Sequence, residues 1–377
     1  MASILQLAFP GGEANLTTRL WRSLPLWFLA ACSTASPDDH PSPSGTADAG
    51  DPAPNPDPTA PDAGQTGDTP VRNCFDGVFM NPLPSDGPDY DQFGPTVGSH
   101  CNGTNHQNIQ GVERVVFLGD SVTVGTPPTG SGSFYRSQLA GALAQQFGLD
   151  APNGLWEQVN VFEGVALMQE SGDFSSCAKW GARTDDLLRD NDQIESCIPP
   201  GERDKTTLVV MTTGGNDIAN ITKDFNEGAA VAEIWAKTEE FVQLQREAVE
   251  WLMEPGRFPN GVYVVFANMY EFTDGTGDTA SCPGAALAGY GDEAGNEDLK
   301  NMVIWANEQY MQIAVDTQTD MMFMLENFCG HGFNHDDPSV PCYRGPDSPR
   351  WFDDTCIHPN PTGHQAITNF FMSVVME

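Results

Sequence analysis

Basic residues are scarce in this chain. Its 377 residues carry 17 Lys and Arg against 52 Asp and Glu, a formal net charge of -35. A chain so poor in cations lacks the basic face that sequence-independent nucleic-acid binding requires. It is also repelled by anionic membrane surfaces. None of its cysteines stands in CxxC spacing, which argues against a zinc site. The apolar run Leu24 to Ala31 is too short to span a bilayer. From Ser33 to about Asn73 large apolar side chains are almost missing, and Pro, Asp, Ser, Ala, Gly and Thr take their place. Such a segment cannot bury enough surface to offset its ordering entropy, so residues 32–73 are expected to form a tether without helix or strand.

What precedes the tether has the form of an export signal. Arg19 and Arg22 stand ahead of the apolar run, which closes on Leu29-Ala30-Ala31-Cys32. This end resembles the lipobox of bacterial lipoproteins. The resemblance implies a signal peptide over residues 1–31 and a lipid anchor at Cys32, the one expected membrane attachment. Eight cysteines then remain: Cys74, Cys101, Cys177, Cys197, Cys282, Cys329, Cys342 and Cys356. An even number in an exported chain favours disulfides. Connectivity cannot be deduced from spacing. Nearest-neighbour pairing is the least demanding choice: Cys74–Cys101, Cys177–Cys197, Cys282–Cys329 and Cys342–Cys356.

Residues 74–111 are rich in Gly, Pro, Asn and Asp and are expected to form an irregular cover on a main domain spanning 112–377. That domain opens on Val115-Val116-Phe117-Leu118, which runs into Gly119-Asp120-Ser121. A short β-branched run closed by Gly-Asp predicts a buried strand, and a serine just beyond it lies at the edge where α/β sheets bind ligands. Alone, its hydroxyl is too weak a nucleophile to attack an ester; it needs a base and oxyanion donors. A helix is expected from near Ser133, with Phe134, Leu139, Leu143 and Phe147 on one face. A second strand is expected within Trp156–Met168, with Val159, Val161 and Val165 as its core.

Candidate partners for Ser121 follow in order. Gly181 precedes Asp185-Asp186 at a predicted helix start, where a free backbone N–H could serve an oxyanion; Gly164 is its rival. Leu208 to Met211 predict a buried strand ending at Gly214-Gly215-Asn216-Asp217, so the Asn216 amide reaches the same sheet edge. A helix over 233–254, a strand over 261–267, a long loop over 273–295, a helix over 299–315, a strand over 321–325 and a C-terminal helix over 365–375 complete the order. Alternating strands and helices predict a three-layer α/β/α fold around a central parallel sheet. His358 precedes Pro359 and the last helix, and follows Asp353 and Asp354. His331 and His335 have i,i+4 spacing, but Gly332 and Asn334 between them argue for a loop rather than a metal-binding helix.

These blocks together resemble the SGNH/GDSL hydrolase family over roughly residues 112–377. The match runs through Gly119-Asp120-Ser121-Val122, Gly181, Gly214-Gly215-Asn216-Asp217 and His358-Pro359. The resemblance implies a flavodoxin-like fold and hydrolysis of carboxylic esters, as an esterase or lipase, through an acyl-enzyme. Ser121 would be the nucleophile, His358 the base, and the Ser121 N–H, Gly181 and Asn216 the oxyanion hole. No metal or organic cofactor is required. The family usually places Asp three residues before the His, where this chain has Thr355. A one-residue bulge would bring Asp354 to the imidazole as the triad acid, with Asp353 the other candidate. The expected partner is a small-molecule, lipid or glycan ester, met by an exported monomer. Deacetylation of polysaccharide and non-catalytic binding at the cell surface are the alternative functions.

Overall fold

The computed structural model describes residues 70–82, 87–282, 284–285, 290–291 and 294–377. All of them fall in one compact unit. The signal peptide, Cys32 and the tether as far as residue 69 lie outside these residues. The last residues of the expected tether, Val71 to Asn73, instead belong to a short helix Val71–Cys74 whose Val71 is buried. Among the described residues no helix is long and apolar enough to cross a membrane.

Among the described residues eight strands form: β1 (Arg114–Gly119), β2 (Val159–Asn160), β3 (Val165–Ala166), β4 (Glu170–Ser171), β5 (Phe174–Ser176), β6 (Thr207–Thr212), β7 (Val262–Ala267) and β8 (Asp320–Met322). Six make one sheet in the order β4-β5-β1-β6-β7-β8, parallel throughout except at the β4 edge. Side chains alternate across it, as strand geometry demands. Val116, Leu118, Val209, Met211, Val264 and Phe266 join one apolar layer with the helices Gly215–Asn226, Val231–Met253 and Glu297–Thr317. Val115, Phe117, Leu208, Val210, Val265 and Ala267 join the other, with the helices Tyr135–Phe147 and Pro361–Met376. The sheet is therefore covered on both faces, and its strands are apolar on both sides.

Sequence expectation and structure part company in three places. Trp156–Met168 contributes no strand to the main sheet. Trp156 lies in a short helix Gly154–Glu157, while β2 and β3 form a separate antiparallel hairpin that leaves Val161 exposed. The sheet position falls instead to β5, which the weakly apolar Phe174-Ser175-Ser176 did not announce. The strand expected over 321–325 ends at Met322 and gives way to a short helix Met324–Phe328. Its outer edge is closed by the cover segment, where Gly103 bridges Met322 and the Phe323 N–H donates to Asn102.

The disulfides also differ. Cys74–Cys101 and Cys177–Cys197 form as nearest neighbours, but the last four cysteines pair as Cys282–Cys356 and Cys329–Cys342. The physical reason is the chain's return path. The segment after β7 comes back across the loop that precedes the last helix, so Cys282 meets Cys356 despite 74 residues of separation.

Candidate active site

The strand β1 delivers the nucleophile. Gly119 has φ +123°, and a Cβ there would meet the Thr212 carbonyl oxygen at 1.9 Å, so only glycine lets β1 approach β6 as it turns. Gln193, itself buried, grips this residue from the side: its Nε2 donates to the Gly119 carbonyl and its Oε1 accepts the Gly119 N–H. Asp120 then caps the short helix Ser121–Val124 by accepting the Val122 N–H at 2.9 Å, and accepts the Thr212 hydroxyl at 3.2 Å. Burial pushes the Asp120 carboxyl up to about 6, against the hydrogen bonds that hold it down. The N–H of Ser121 donates to no acceptor among the described residues.

The loop before the last helix delivers the base. Asn360 caps the helix Pro361–Met376 through the Gly363 N–H, and its own amide donates to the Arg350 carbonyl. A bridge between Phe352 and Pro359 and a bond from the Asp353 N–H to the His358 carbonyl close the loop into a tight hairpin. His358 Nε2 lies 3.0 Å from Ser121 Oγ. Burial lowers the imidazole pKa from its usual value, and the Asp353 carboxylate opposes that shift.

Asp354 does not complete this arrangement. The turn that begins at Asp353 is closed by the Cys356 N–H, which donates to the Asp353 carbonyl. Its second residue points outward, so the Asp354 side chain is 96% exposed and pairs with Arg350 at 2.8 Å. The third residue, Thr355, faces inward instead. Its Oγ1 lies 3.1 Å from His358 Nδ1 and 2.5 Å from Asp353 Oδ1. Asp353 is buried, and also accepts the Thr355 N–H. Thr355 had stood only as a departure from the family pattern. The available signal was the Asp-x-Thr spacing, which suits a carboxylate that binds the backbone two residues on.

Asn216 sits in the first turn of the helix Gly215–Asn226, and its Nδ2 donates to the Ala182 carbonyl at 2.8 Å, leaving its second N–H available. Gly181 belongs to the turn that carries this acceptor rather than to a helix start; the helical turn begins later, at Thr184. Its φ is +73°, and its N–H donates to no acceptor among the described residues. The Lys179 N–H donates to the Gly119 carbonyl, so the turn is tied both to the end of β1 and to Asn216. The rival Gly164 has spent its N–H on the Asn160 carbonyl. A cavity of about 80 Å³ opens beside Ser121, Asn216 and His358, walled by Met269, Tyr270, Phe272 and Ile357; Gly181 lies outside its lining. The Tyr270 hydroxyl donates to the Ile357 carbonyl, next to His358.

His331 and His335 are not paired on a helix. His331 stacks on Trp351 at 3.5 Å, and its Nδ1 lies 2.8 Å from the Pro349 carbonyl.

The model of the GDSL-like lipase/acylhydrolase family matches residues 117–366, well over half of the chain, and the chain belongs to that family, a family of ester hydrolases. Among solved structures the chain is similar to the lipase Lip_vut3 from a goat rumen metagenome, at 13% identity over 70% of this chain and 97% of that one, with a TM-score of 0.44. It is similar also to BT4096, a gut microbial diltiazem-metabolizing enzyme, at 15% identity over 72% of this chain and 48% of that one, TM-score 0.42. A two-domain esterase active on acetylated mannans, co-crystallized with mannopentaose, gives 14% identity over 71% of this chain and 51% of that one, TM-score 0.37. The chain thus spans about half the length of the last two. No curated protein matches its sequence.

Proposed function

We propose that the chain is a serine esterase that cleaves carboxylic esters through an acyl-enzyme. The observation that carries this reading is the 3.0 Å contact between Ser121 Oγ and His358 Nε2, beside a Ser121 N–H free to receive an oxyanion. In the first step His358 Nε2 takes the Ser121 proton as Oγ bonds to the acyl carbon. The Ser121 and Gly181 N–H groups and Asn216 Nδ2 hold the oxyanion, and the imidazolium then protonates the leaving alcohol. Water repeats the sequence to release the acid. Asp353, one hydroxyl removed, takes the acid's place in the triad.

Met269, Tyr270, Phe272 and Ile357 offer the acyl group an apolar wall beside Ser121. Acetyl esters of polysaccharide form the second reading. Four disulfides among the described residues support an oxidising compartment, and a lipid anchor at Cys32 is the proposed means of retention at the cell envelope. The test is a profile of p-nitrophenyl esters from acetate to octanoate, set beside acetylated glycans, with Ser121→Ala as control. Hydrolysis that vanishes in Ser121→Ala is expected, and the profile reads out the acyl preference. No hydrolysis of any ester would leave the binding function instead.

A further inference from the structure

We propose that Thr355 is a positioning residue whose hydroxyl, anchored on Asp353, fixes the proton of His358 on Nδ1 and thereby presents a bare Nε2 to Ser121. The inference rests on Ser121 and His358 acting as proposed above. Each hydrogen in the chain has a forced direction. Asp353 Oδ1 lies 2.5 Å from Thr355 Oγ1, and a carboxylate only accepts, so the Thr355 hydroxyl donates to it. With its one hydrogen committed, Thr355 Oγ1 turns its lone pairs to His358. There it accepts the backbone N–H at 3.2 Å and lies 3.1 Å from Nδ1. An oxygen with no hydrogen left can only accept from Nδ1, so Nδ1 carries the imidazole's proton. Nε2 is then the acceptor at 3.0 Å from Ser121 Oγ.

During acylation the Ser121 O–H bond breaks and an Nε2–H bond forms, while the freed electron pair of Oγ bonds the acyl carbon. The resulting imidazolium keeps its Nδ1–H on Thr355, and the Asp353 charge stabilises it through that hydroxyl. No proton passes to Asp353, and Nε2 returns its own to the leaving alkoxide. Other polar groups near the ring come from other elements. Asp120 stands at the end of β1, and Tyr270, from the segment after β7, is bonded to the Ile357 carbonyl. His364, on the last helix, is held neutral by burial, its pKa pushed down to about 3. On the outer side of the loop Asp354 is engaged with Arg350. None of these is altered by the substitutions below.

The experiment combines the pH profile of kcat/KM on p-nitrophenyl acetate with a nitrogen NMR titration of His358 in the full chain. Thr355→Val removes the hydroxyl at nearly constant volume and should lower kcat about 10²-fold or more with KM little moved, and Thr355→Ser should restore most of the rate. Asp353→Asn keeps the Oδ1 acceptor but deletes the charge, so the acid limb and the NMR titration should both move to lower pH. Thr355→Asp places a carboxylate at Nδ1 itself and should move both to higher pH. A residue that merely supports the loop would not produce opposite shifts. Wild-type activity in Thr355→Val, or one unmoved acid limb in Asp353→Asn and Thr355→Asp, overturns the proposal. If Thr355→Val fails to fold, the Asp353→Asn and Thr355→Asp pair decides. If the unaltered chain cleaves no ester, the esterase reading falls, and the neutral tautomer still decides this one: a proton on Nδ1 upholds it, and a proton on Nε2 refutes it.

Discussion

Removing the Cys282–Cys356 disulfide should cost this protein both stability and rate, whereas removing Cys329–Cys342 should cost mainly stability. The first bridge closes a separation of 74 residues and the second one of 13. Because Cys329–Cys342 lies inside the larger loop and shortens it, the chain-entropy cost of losing Cys282–Cys356 comes to about 4 kcal/mol, against about 3 kcal/mol for the smaller bridge. A loss of about 4 kcal/mol corresponds to roughly 6 °C in Tm for a domain of this size. The effect on rate has a separate origin. Cys356 adopts φ +65° within the His358 loop, and a Cβ on Gly284 would meet the Thr355 carbonyl oxygen at 2.3 Å, so the bridge clamps two segments in direct contact. Thermal melting and kcat of the Cys282→Ala/Cys356→Ala and Cys329→Ala/Cys342→Ala double variants test this, with non-reducing peptide mapping of the parent chain. Peptides joining Cys282 to Cys329, or equal kcat losses in the two double variants, would refute the reasoning.

Four further outcomes are expected. Asn216→Ala should lower kcat by about 10²- to 10³-fold with little change in KM, since it deletes a donor to the oxyanion, and steady-state kinetics on a short ester measure it. Burial lowers the His358 pKa, and a base works when unprotonated, so activity should persist as pH falls through the ordinary imidazole value; an acid limb of kcat/KM above neutrality would contradict this. Gly119→Ala should abolish folding, because its Cβ would collide with the Thr212 backbone. Gly181→Ala meets nothing within 4 Å, so it should fold with a loss of only about 1 kcal/mol for its left-handed backbone, as circular dichroism and urea titration would show.

How much was legible depended on whether the signal was local. Val115–Leu118 and Leu208–Met211 announced buried strands because each is a short β-branched run closed by glycine, and both took central places in the sheet. The long helices were equally plain from their apolar faces. Phe174-Ser175-Ser176 gave no such signal, since β5 owes its place to pairing with Val115–Phe117 rather than to its own composition. The order of Ser121, Asn216 and His358 was visible along the chain. The part played by Thr355 was not, because it depends on which residue of a four-residue turn faces inward. Cysteine pairing was hidden for a related reason: a long return path costs little more entropy than a short one, so spacing carries almost no information.

The two apolar layers share nothing but the sheet between them. Ser121 stands on that common wall, Asn216 rides on a helix of one layer, and His358 sits in the loop that leads into the helix closing the other. With the Cys282–Cys356 bridge reduced, a local opening that lifts away this loop and the last helix would take the proton acceptor with it and leave the hydroxyl and the amide donors where they were. Under gentle denaturation such a protein goes silent while most of its backbone is still in place: it loses the ability to turn over an ester before it loses the pocket that receives one.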